Sequence, residues 1–146
     1  HLNLTWHITE NVFAHLLVRE GPRGPHEALS RSLLLDGQTF DSLDDIIANF
    51  IRPINAHVSQ LQTSDKFCAE TYDYIRQTLD ELCETDSEKI PYLFWFSPKV
   101  PQYLVLSYAL QRGQTHHELI KLKPAGLSFH GAAFPALPSL IKFFKL

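Results

Sequence analysis

An internal repeat constrains this chain more than any other feature of its sequence. A shift of 94 residues pairs apolar and glycine positions of 33–50 with positions of the same character in 127–144. A shift of 102 residues pairs 2–19 with 104–121 in the same way. The two shifts differ because the first copy contains a longer Gly/Pro-rich loop between the two matching segments, and a surface loop tolerates such an insertion. The pattern predicts two copies of one unit, with chance similarity of two hairpin-and-helix patterns as the alternative.

The periodicity within each copy changes from that of strands to that of a helix. Alternating apolar and polar residues predict strands over 1–8, 12–19, 33–35, 91–97, 103–109, 115–123 and 127–130. Steps of three and four residues predict helices over 42–61, about 68–84 and 137–144. Pro53 lies within the first helix, and the apolar stripe resumes in phase after it, which favours one kinked helix over two. We expect an α+β fold of antiparallel sheets flanked by helices.

The second copy has two predicted elements that the first copy lacks. A helix at about 68–84 and a strand at 91–97 precede its hairpin. The chain also contains no methionine and begins with His1. We therefore expect the first unit to be truncated, with its own helix and strand encoded before His1.

The charge is distributed unevenly along the chain. Residues 1–88 contain 6 Lys/Arg and 15 Asp/Glu, whereas residues 89–146 contain 7 and 1, although the net charge is only −3. The basic last part of the chain, residues 89–146, suggests an anionic partner, either a phosphopeptide or nucleic acid, or a charged face that only aids solubility. No stretch approaches the roughly 18 apolar residues of a membrane span. We also find no catalytic motif, metal-ligand spacing or cofactor loop, so we expect neither an enzyme nor a cofactor or metal site.

The order of these elements resembles the Src-homology-2 (SH2) domain. The segments that carry the resemblance are Val12–Arg19, Phe40–Phe50, His116–Lys121 and Phe134–Phe144. Two such units joined by a long helix resemble the tandem SH2 region of the Suppressor-of-Ty-6 transcription elongation factors. This closer resemblance is carried by His1–Trp6, Leu43–Ile47, Thr63–Phe67 and Pro124–Leu127. It implies a division into 1–62, the end of the first SH2-like domain with its linker helix, and 63–146, a second, non-standard SH2-like domain.

The resemblance also implies a function. Members of this family bind phosphorylated segments of the largest subunit of RNA polymerase II, in its linker or C-terminal domain. By that resemblance, the chain is a monomeric phosphoserine- or phosphothreonine-binding module of a nuclear elongation factor and histone chaperone. Two alternatives remain, a nucleic-acid-binding module and a purely structural second copy without a phosphate site.

The resemblance places one candidate site in the first unit. Its phosphate-binding arginine would lie before His1, which leaves Thr5, His15 and Arg19 as walls of the pocket. His15 has a second interpretation, because a histidine in this position can simply support the hairpin through a local hydrogen bond.

In the second unit, Trp95 stands where the family has its phosphate-binding arginine. An indole offers one donor and no charge, so this copy has either lost phosphate binding or uses other cations. The resemblance favours a phosphoserine site formed by Lys66 and Lys145, with Lys121 and its neighbour Lys123 as competing candidates. The helix dipole alone also favours a lysine at the position of Lys145.

Overall fold

The computed structural model describes residues 1–86 and 88–145, and within them the chain forms nine β-strands and four α-helices. The strands are β1 (Leu2–Thr9), β2 (Val12–Glu20), β3 (Leu33–Leu35), β4 (Gln38–Phe40), β5 (Tyr92–Phe96), β6 (Tyr103–Ala109), β7 (Thr115–Lys123), β8 (Gly126–Phe129) and β9 (Ala132–Phe134). The helices are α1 (Leu43–Ile46), α2 (Arg52–Leu61), α3 (Tyr72–Thr85) and α4 (Leu137–Phe144), and a π-helical segment (Ile47–Ile51) joins α1 to α2. None of the helices in these ranges is long and apolar enough to cross a membrane.

The strands form two antiparallel sheets that follow one another along the chain. Their orders are β1-β2-β3-β4 and β5-β6-β7-β8-β9, so every neighbour in space is also a neighbour in sequence. Buried and exposed residues alternate along β2, which places Val12, Ala14, Leu16 and Val18 on the core face. The predicted α+β fold of antiparallel sheets and helices is confirmed.

The repeat appears in the backbone as two matching short hairpins. Strands β3 and β4 occupy positions that the 94-residue shift carries onto β8 and β9. The turn of the first hairpin has positive φ at Asp36 (51°) and Gly37 (79°), and the turn of the second has it at His130 (50°) and Gly131 (77°). Two consecutive residues with positive φ are typical of a tight hairpin turn. The sequence pattern missed β4 and β9, because a three-residue strand is too short to display an alternation.

A continuous helical run connects the first sheet to the second unit. It begins after Ser42, whose hydroxyl accepts a hydrogen bond from the Asp45 amide as an N-cap. The run is not split at Pro53, as predicted, but the π-helical segment immediately before it was not anticipated. The Arg52 amide donates to the carbonyl of Ile47, five residues earlier. Proline has no backbone N–H to donate. Pro53 therefore lies where the hydrogen-bond pattern changes from the π-helical segment to the α-helix α2.

The helix expected at about 68–84 begins later than predicted. It starts at Tyr72, and the residues before it are extended. The Cys68 amide donates to the Phe94 carbonyl at 2.8 Å, and the Phe94 amide donates to the Lys66 carbonyl at 2.8 Å. This short parallel bridge to β5 satisfies backbone groups that a helix would have satisfied internally. It also fixes the chain path that positions the Lys66 side chain.

The hydrophobic core is continuous between the two sheets. Its largest cluster combines residues of the first sheet, of α2, of the second sheet and of α4, among them Trp6, Val18, Ile54, Leu106 and Leu140. A smaller cluster packs α3 onto the opposite face of the second sheet, through Ile75, Leu79, Trp95, Val105 and Ala109. The second sheet is thus covered by a helix on both faces.

Candidate functional site

Lys66 and Lys145 lie 79 positions apart in the chain, yet their side chains meet over one aromatic ring. The Lys66 ammonium is 4.9 Å from the centroid of the Tyr92 ring, and the Lys145 ammonium is 5.6 Å from the same centroid. Both distances are within the range of a cation–π interaction. The structure therefore brings together the two lysines that the resemblance named for the second unit.

The backbone on both sides of this pair is well anchored. Lys66 belongs to the short bridge with β5, and its amide donates to the Ser64 hydroxyl at 3.2 Å. Lys145 follows the last residue of α4, and its amide donates to the Ile141 carbonyl at 3.0 Å. A cation at a helix C-terminus also interacts favourably with the helix dipole. The two lysines thus start from fixed positions, and only their side chains are flexible.

An aromatic cluster supports the ring that the lysines share. Tyr92 of β5 pairs with Tyr108 of β6 across the sheet, and its ring meets Phe94 edge to face at 5.9 Å. Tyr108 in turn contacts Phe144 of α4 at 5.6 Å and stacks on His116 at 5.4 Å, measured between ring centroids. Edge-to-face pairs at such distances are favourable, so the cluster holds Tyr92 in place.

The lysine pair lines an open groove of about 750 Å³. We call it the Tyr92 groove, and its lining residues are Lys66, Leu82, Thr85, Asp86, Glu88, Lys89, Ile90, Pro91, Tyr92, Tyr108, Phe144 and Lys145. The groove combines three lysines with a largely apolar wall and two carboxylates. Lysine is a compact point charge with three donors, so a pair can hold a phosphate without the planar fork of arginine.

The candidate residues of the first unit lie on the exposed face of the first sheet. Thr5 and His15 pair directly across β1 and β2, and the Thr5 hydroxyl is hydrogen-bonded to Nδ1 of His15 at 3.1 Å. Arg19 lies on the same face of β2, four residues further along. The hydrogen bond between Thr5 and His15 is the local contact expected if His15 supports the hairpin. It also holds the two side chains next to each other on an exposed surface.

The second unit has the same hydroxyl–histidine pair at the equivalent place, but there the hydroxyl is buried. The Ser107 hydroxyl and His117 Nδ1 are 2.6 Å apart, and the Trp95 indole donates to Ser107 at 2.8 Å. Ser107 is fully buried, and Trp95 is nearly so. The Tyr72 ring packs beside His117, with 5.3 Å between the ring centroids. Trp95 therefore fills the place of the missing arginine.

One hydrogen bond of this network has a fixed direction. An indole N–H can only donate, so Ser107 accepts from Trp95. In a neutral His117 ring, Nδ1 can accept the hydroxyl hydrogen of Ser107. Burial lowers the pKa of His117 below its ordinary value, and the nearby His116 lowers it further.

Lys121 lies in a different part of the second sheet. It pairs with Tyr103, whereas Tyr92 pairs with Tyr108, five residues further along β6. At about 3.4 Å per residue, this corresponds to roughly 17 Å along the strand, too far for one phosphate to reach both places. The Lys121 ammonium is engaged by the Asp36 carboxylate at 2.7 Å. Lys123 is exposed on the same strand and does not line the Tyr92 groove.

Two residues of the groove were not identified from the sequence. Tyr92 was assigned only to a strand, and Lys89 only to a polar linker. The register between β5 and β6 makes Tyr92 part of the aromatic cluster, and the end of α4 brings Lys145 to it. Neither relationship leaves a periodic signal in the sequence, because both depend on how separate elements pack.

Two consecutive antiparallel sheets, the second covered by a helix on both faces, define the class of folds to which SH2 domains belong. The family profile described as "SH2 domain" matches residues 1–146, so the chain belongs to the SH2 domain family. SH2 domains are binding modules rather than enzymes.

Relatives of known identity confirm the closer resemblance to the Suppressor-of-Ty-6 factors. The chain is 32% identical to the transcription elongation factor SPT6 of Drosophila melanogaster over 99% of the chain and 8% of that protein. It is 28% identical to an SPT6-like elongation factor of Arabidopsis thaliana, over 99% of the chain and 11% of that protein. The chain thus spans about a tenth of the length of these relatives.

Two solved structures share the fold. The tandem SH2 domains of the Antonospora locustae elongation factor Spt6 superpose with a TM-score of 0.80 at 22% identity, covering 99% of this chain and 74% of that one. A tandem SH2 domain of Spt6 that binds the phosphorylated C-terminal repeat domain of RNA polymerase II gives 0.85 at 22% identity, covering 98% and 74%.

Proposed function

We propose that the chain is a phosphopeptide-binding module and that its second unit binds phosphoserine or phosphothreonine through Lys66 and Lys145. The observation that carries the proposal is the convergence of both ammonium groups on the Tyr92 ring. Neither ammonium takes part in an ion pair within residues 1–86 and 88–145. Two like charges held close together without a carboxylate partner form a site for a multivalent anion.

A phosphorylated side chain matches this arrangement in charge and in geometry. It carries about −1.5 to −2 charge at pH 7 and presents three acceptor oxygens. Two ammonium groups can neutralise that charge, and each can donate to a different oxygen. A carboxylate would neutralise only one of them, so the pair favours a phosphorylated over an unphosphorylated peptide.

The relatives suggest which phosphopeptide this is. We propose as partner the phosphorylated largest subunit of RNA polymerase II, in its linker or its C-terminal domain, and a nuclear location within an elongation factor and histone chaperone. The division at 62/63 would then separate two binding surfaces. Thr5, His15 and Arg19 would form the walls of a second phosphate pocket in the first unit, and Lys121 would serve the fold instead of the phosphate. The proposal assigns no catalysis and no cofactor to the chain.

Peptide titration tests the proposal directly. We expect a phosphoserine peptide from the polymerase linker to bind at least about tenfold more tightly than its unphosphorylated form, because charge-assisted hydrogen bonds contribute about 1.5–3 kcal/mol each. The double variant Lys66→Glu with Lys145→Glu should abolish this preference. The double variant Lys99→Glu with Lys142→Glu is the matched control, since it makes the same charge change at two exposed lysines outside the Tyr92 groove.

Three outcomes would contradict the proposal. Equal affinity for both peptides would exclude phosphate recognition. Loss of the preference in Lys121→Glu, but not in the variant Lys66→Glu with Lys145→Glu, would move the site to β7. Tight binding of RNA or DNA with a steep salt dependence, together with no binding of peptides, would favour a nucleic-acid-binding module.

A further inference from the structure

The Tyr92 groove is larger and more apolar than a phosphate group requires. Its volume of about 750 Å³ is in the range of pockets that hold whole small molecules. Besides the lysine pair, the groove is lined by the apolar or aromatic residues Leu82, Ile90, Pro91, Tyr108 and Phe144.

Part of this wall is exposed to solvent. Ile90 is 54% exposed and Leu82 is 40% exposed, although both are large aliphatic side chains. They come from different elements, since Leu82 belongs to α3 and Ile90 to the segment before β5. Single exposed apolar residues are common on protein surfaces, but a set that lines one concave surface beside a charged site indicates a binding surface.

The charges of the groove limit what can occupy the apolar part. Asp86 and Glu88 lie at the rim, where they disfavour acidic residues next to the phosphate. Lys89 adds a third ammonium to the same groove. An occupant that places a phosphate on the lysine pair and an uncharged apolar side chain on Ile90 and Leu82 satisfies both parts of the surface.

We infer that the Tyr92 groove is specific for a phosphoserine segment that carries an aliphatic or aromatic residue close to the phosphorylated position. This inference rests on the proposed function and adds a specificity determinant to it. The lysine pair supplies the dependence on phosphate, and Leu82 and Ile90 supply the selection of the sequence around it. Burial of one leucine side chain on this wall corresponds to about a tenfold gain in affinity.

A peptide series tests the inference on the whole chain. The background is a phosphoserine peptide of Gly, Ser and Gln, into which a single leucine is placed at each of three positions before and after the phosphoserine. We expect leucine to tighten binding about tenfold at one or more positions. Ile90→Ser and Leu82→Ser should each remove most of that gain, so that leucine-containing and leucine-free phosphopeptides bind these variants with similar affinity.

Ile47→Ser is the matched control, because Ile47 is an isoleucine of similar exposure (41%) in the π-helical segment, outside the groove. Its affinities should equal those of the unchanged chain. If all leucine positions bind alike while phosphorylation still matters, the inference is wrong and the proposed function stands. If phosphorylation makes no difference in any peptide, both are wrong.

Discussion

The Asp36 carboxylate accepts a hydrogen bond from the Lys121 ammonium at 2.7 Å, across 85 positions of the sequence. Asp36 lies in the β3-β4 turn of the first sheet, and Lys121 lies on β7 of the second. Both side chains are more than two-thirds buried. A second polar contact between the units joins Nε2 of His57 on α2 to the Pro124 carbonyl at 2.9 Å. Polar contacts and a shared hydrophobic core therefore hold the two units together.

The ion pair between Asp36 and Lys121 predicts a structural role for Lys121. Lys121→Ala should lower the free energy of unfolding by about 1 kcal/mol, because a partly buried ion pair is worth more than an exposed one and its loss leaves Asp36 without a partner. Asp36→Ala should cost a similar amount, and the double variant less than the sum of both. Urea unfolding of the four proteins measures this coupling. Additive losses would mean that the two side chains do not interact in solution.

Trp95 is predicted to be the most sensitive single position of the second unit. Trp95→Ala should cost about 3–5 kcal/mol, because it leaves a large cavity beneath α3 and removes the donor to Ser107. Trp95→Phe keeps most of the apolar volume and should cost about 1–2 kcal/mol. Tyr74→Ala on the exposed side of α3 is the control, with an expected change within about 0.5 kcal/mol. Equal unfolding midpoints for all three variants would show that the buried network contributes nothing.

The lowered pKa of His117 predicts that the free energy of unfolding decreases in mild acid. Its pKa is lowered in the folded protein, mainly by burial, so the unfolded chain binds a proton more readily. The stabilisation is fully present above the ordinary histidine pKa of about 6.5 and is lost as the pH falls through the lower, folded value. Protonation would also turn Nδ1 into a donor and leave the hydroxyl hydrogen of buried Ser107 without an acceptor.

Unfolding experiments between pH 8 and pH 5 measure this dependence. His117→Gln should flatten the curve in this range, whereas His26→Gln, in an exposed loop, should leave its shape unchanged. The same curve for His117→Gln and the unchanged chain would show that another group causes the acid sensitivity.

Local patterns predicted most of the fold, and the reasons for the exceptions are physical. The strand at 33–35 and the helix predicted from residue 42 follow from apolar patterns within a few residues, and the structure has both, as β3 and as the helical run that begins after Ser42. The start of α3 was placed too early, because the residues before it bond to β5, which lies about 25 positions away. A contact at that separation changes the local structure without changing the local pattern.

The candidate site was predictable only by resemblance. Lys66 and Lys145 belong to no common motif, and composition shows only that residues 89–146 are basic. Tyr92, which brings their ammonium groups together, became visible only with the strand register and the end of α4. A site assembled from three distant segments depends on tertiary packing, which residue spacing does not encode.

Alanine substitutions at the two glycines of the β8-β9 hairpin should lower the free energy of unfolding by different amounts. Both have positive φ, 138° at Gly126 and 77° at Gly131. A Cβ at Gly131 would meet nothing within 4 Å, whereas a Cβ at Gly126 would overlap the carbonyl oxygen of Phe134. Gly131→Ala should lower the free energy of unfolding by about 1–2 kcal/mol, because alanine is strained in the left-handed conformation. Gly126→Ala should lower it by about 3–4 kcal/mol, because the steric overlap adds to that strain.

Urea unfolding of both variants distinguishes the two contributions, provided that the denaturant dependence of the unfolding free energy stays unchanged. Because Gly126 is the first residue of β8, which pairs with β9, the larger loss should come with weaker protection of the β8-β9 amides from hydrogen exchange. Amides of the first sheet should keep their protection relative to global unfolding. Equal losses in the two variants would place the Phe134 carbonyl away from Gly126 and would contradict this packing of β9.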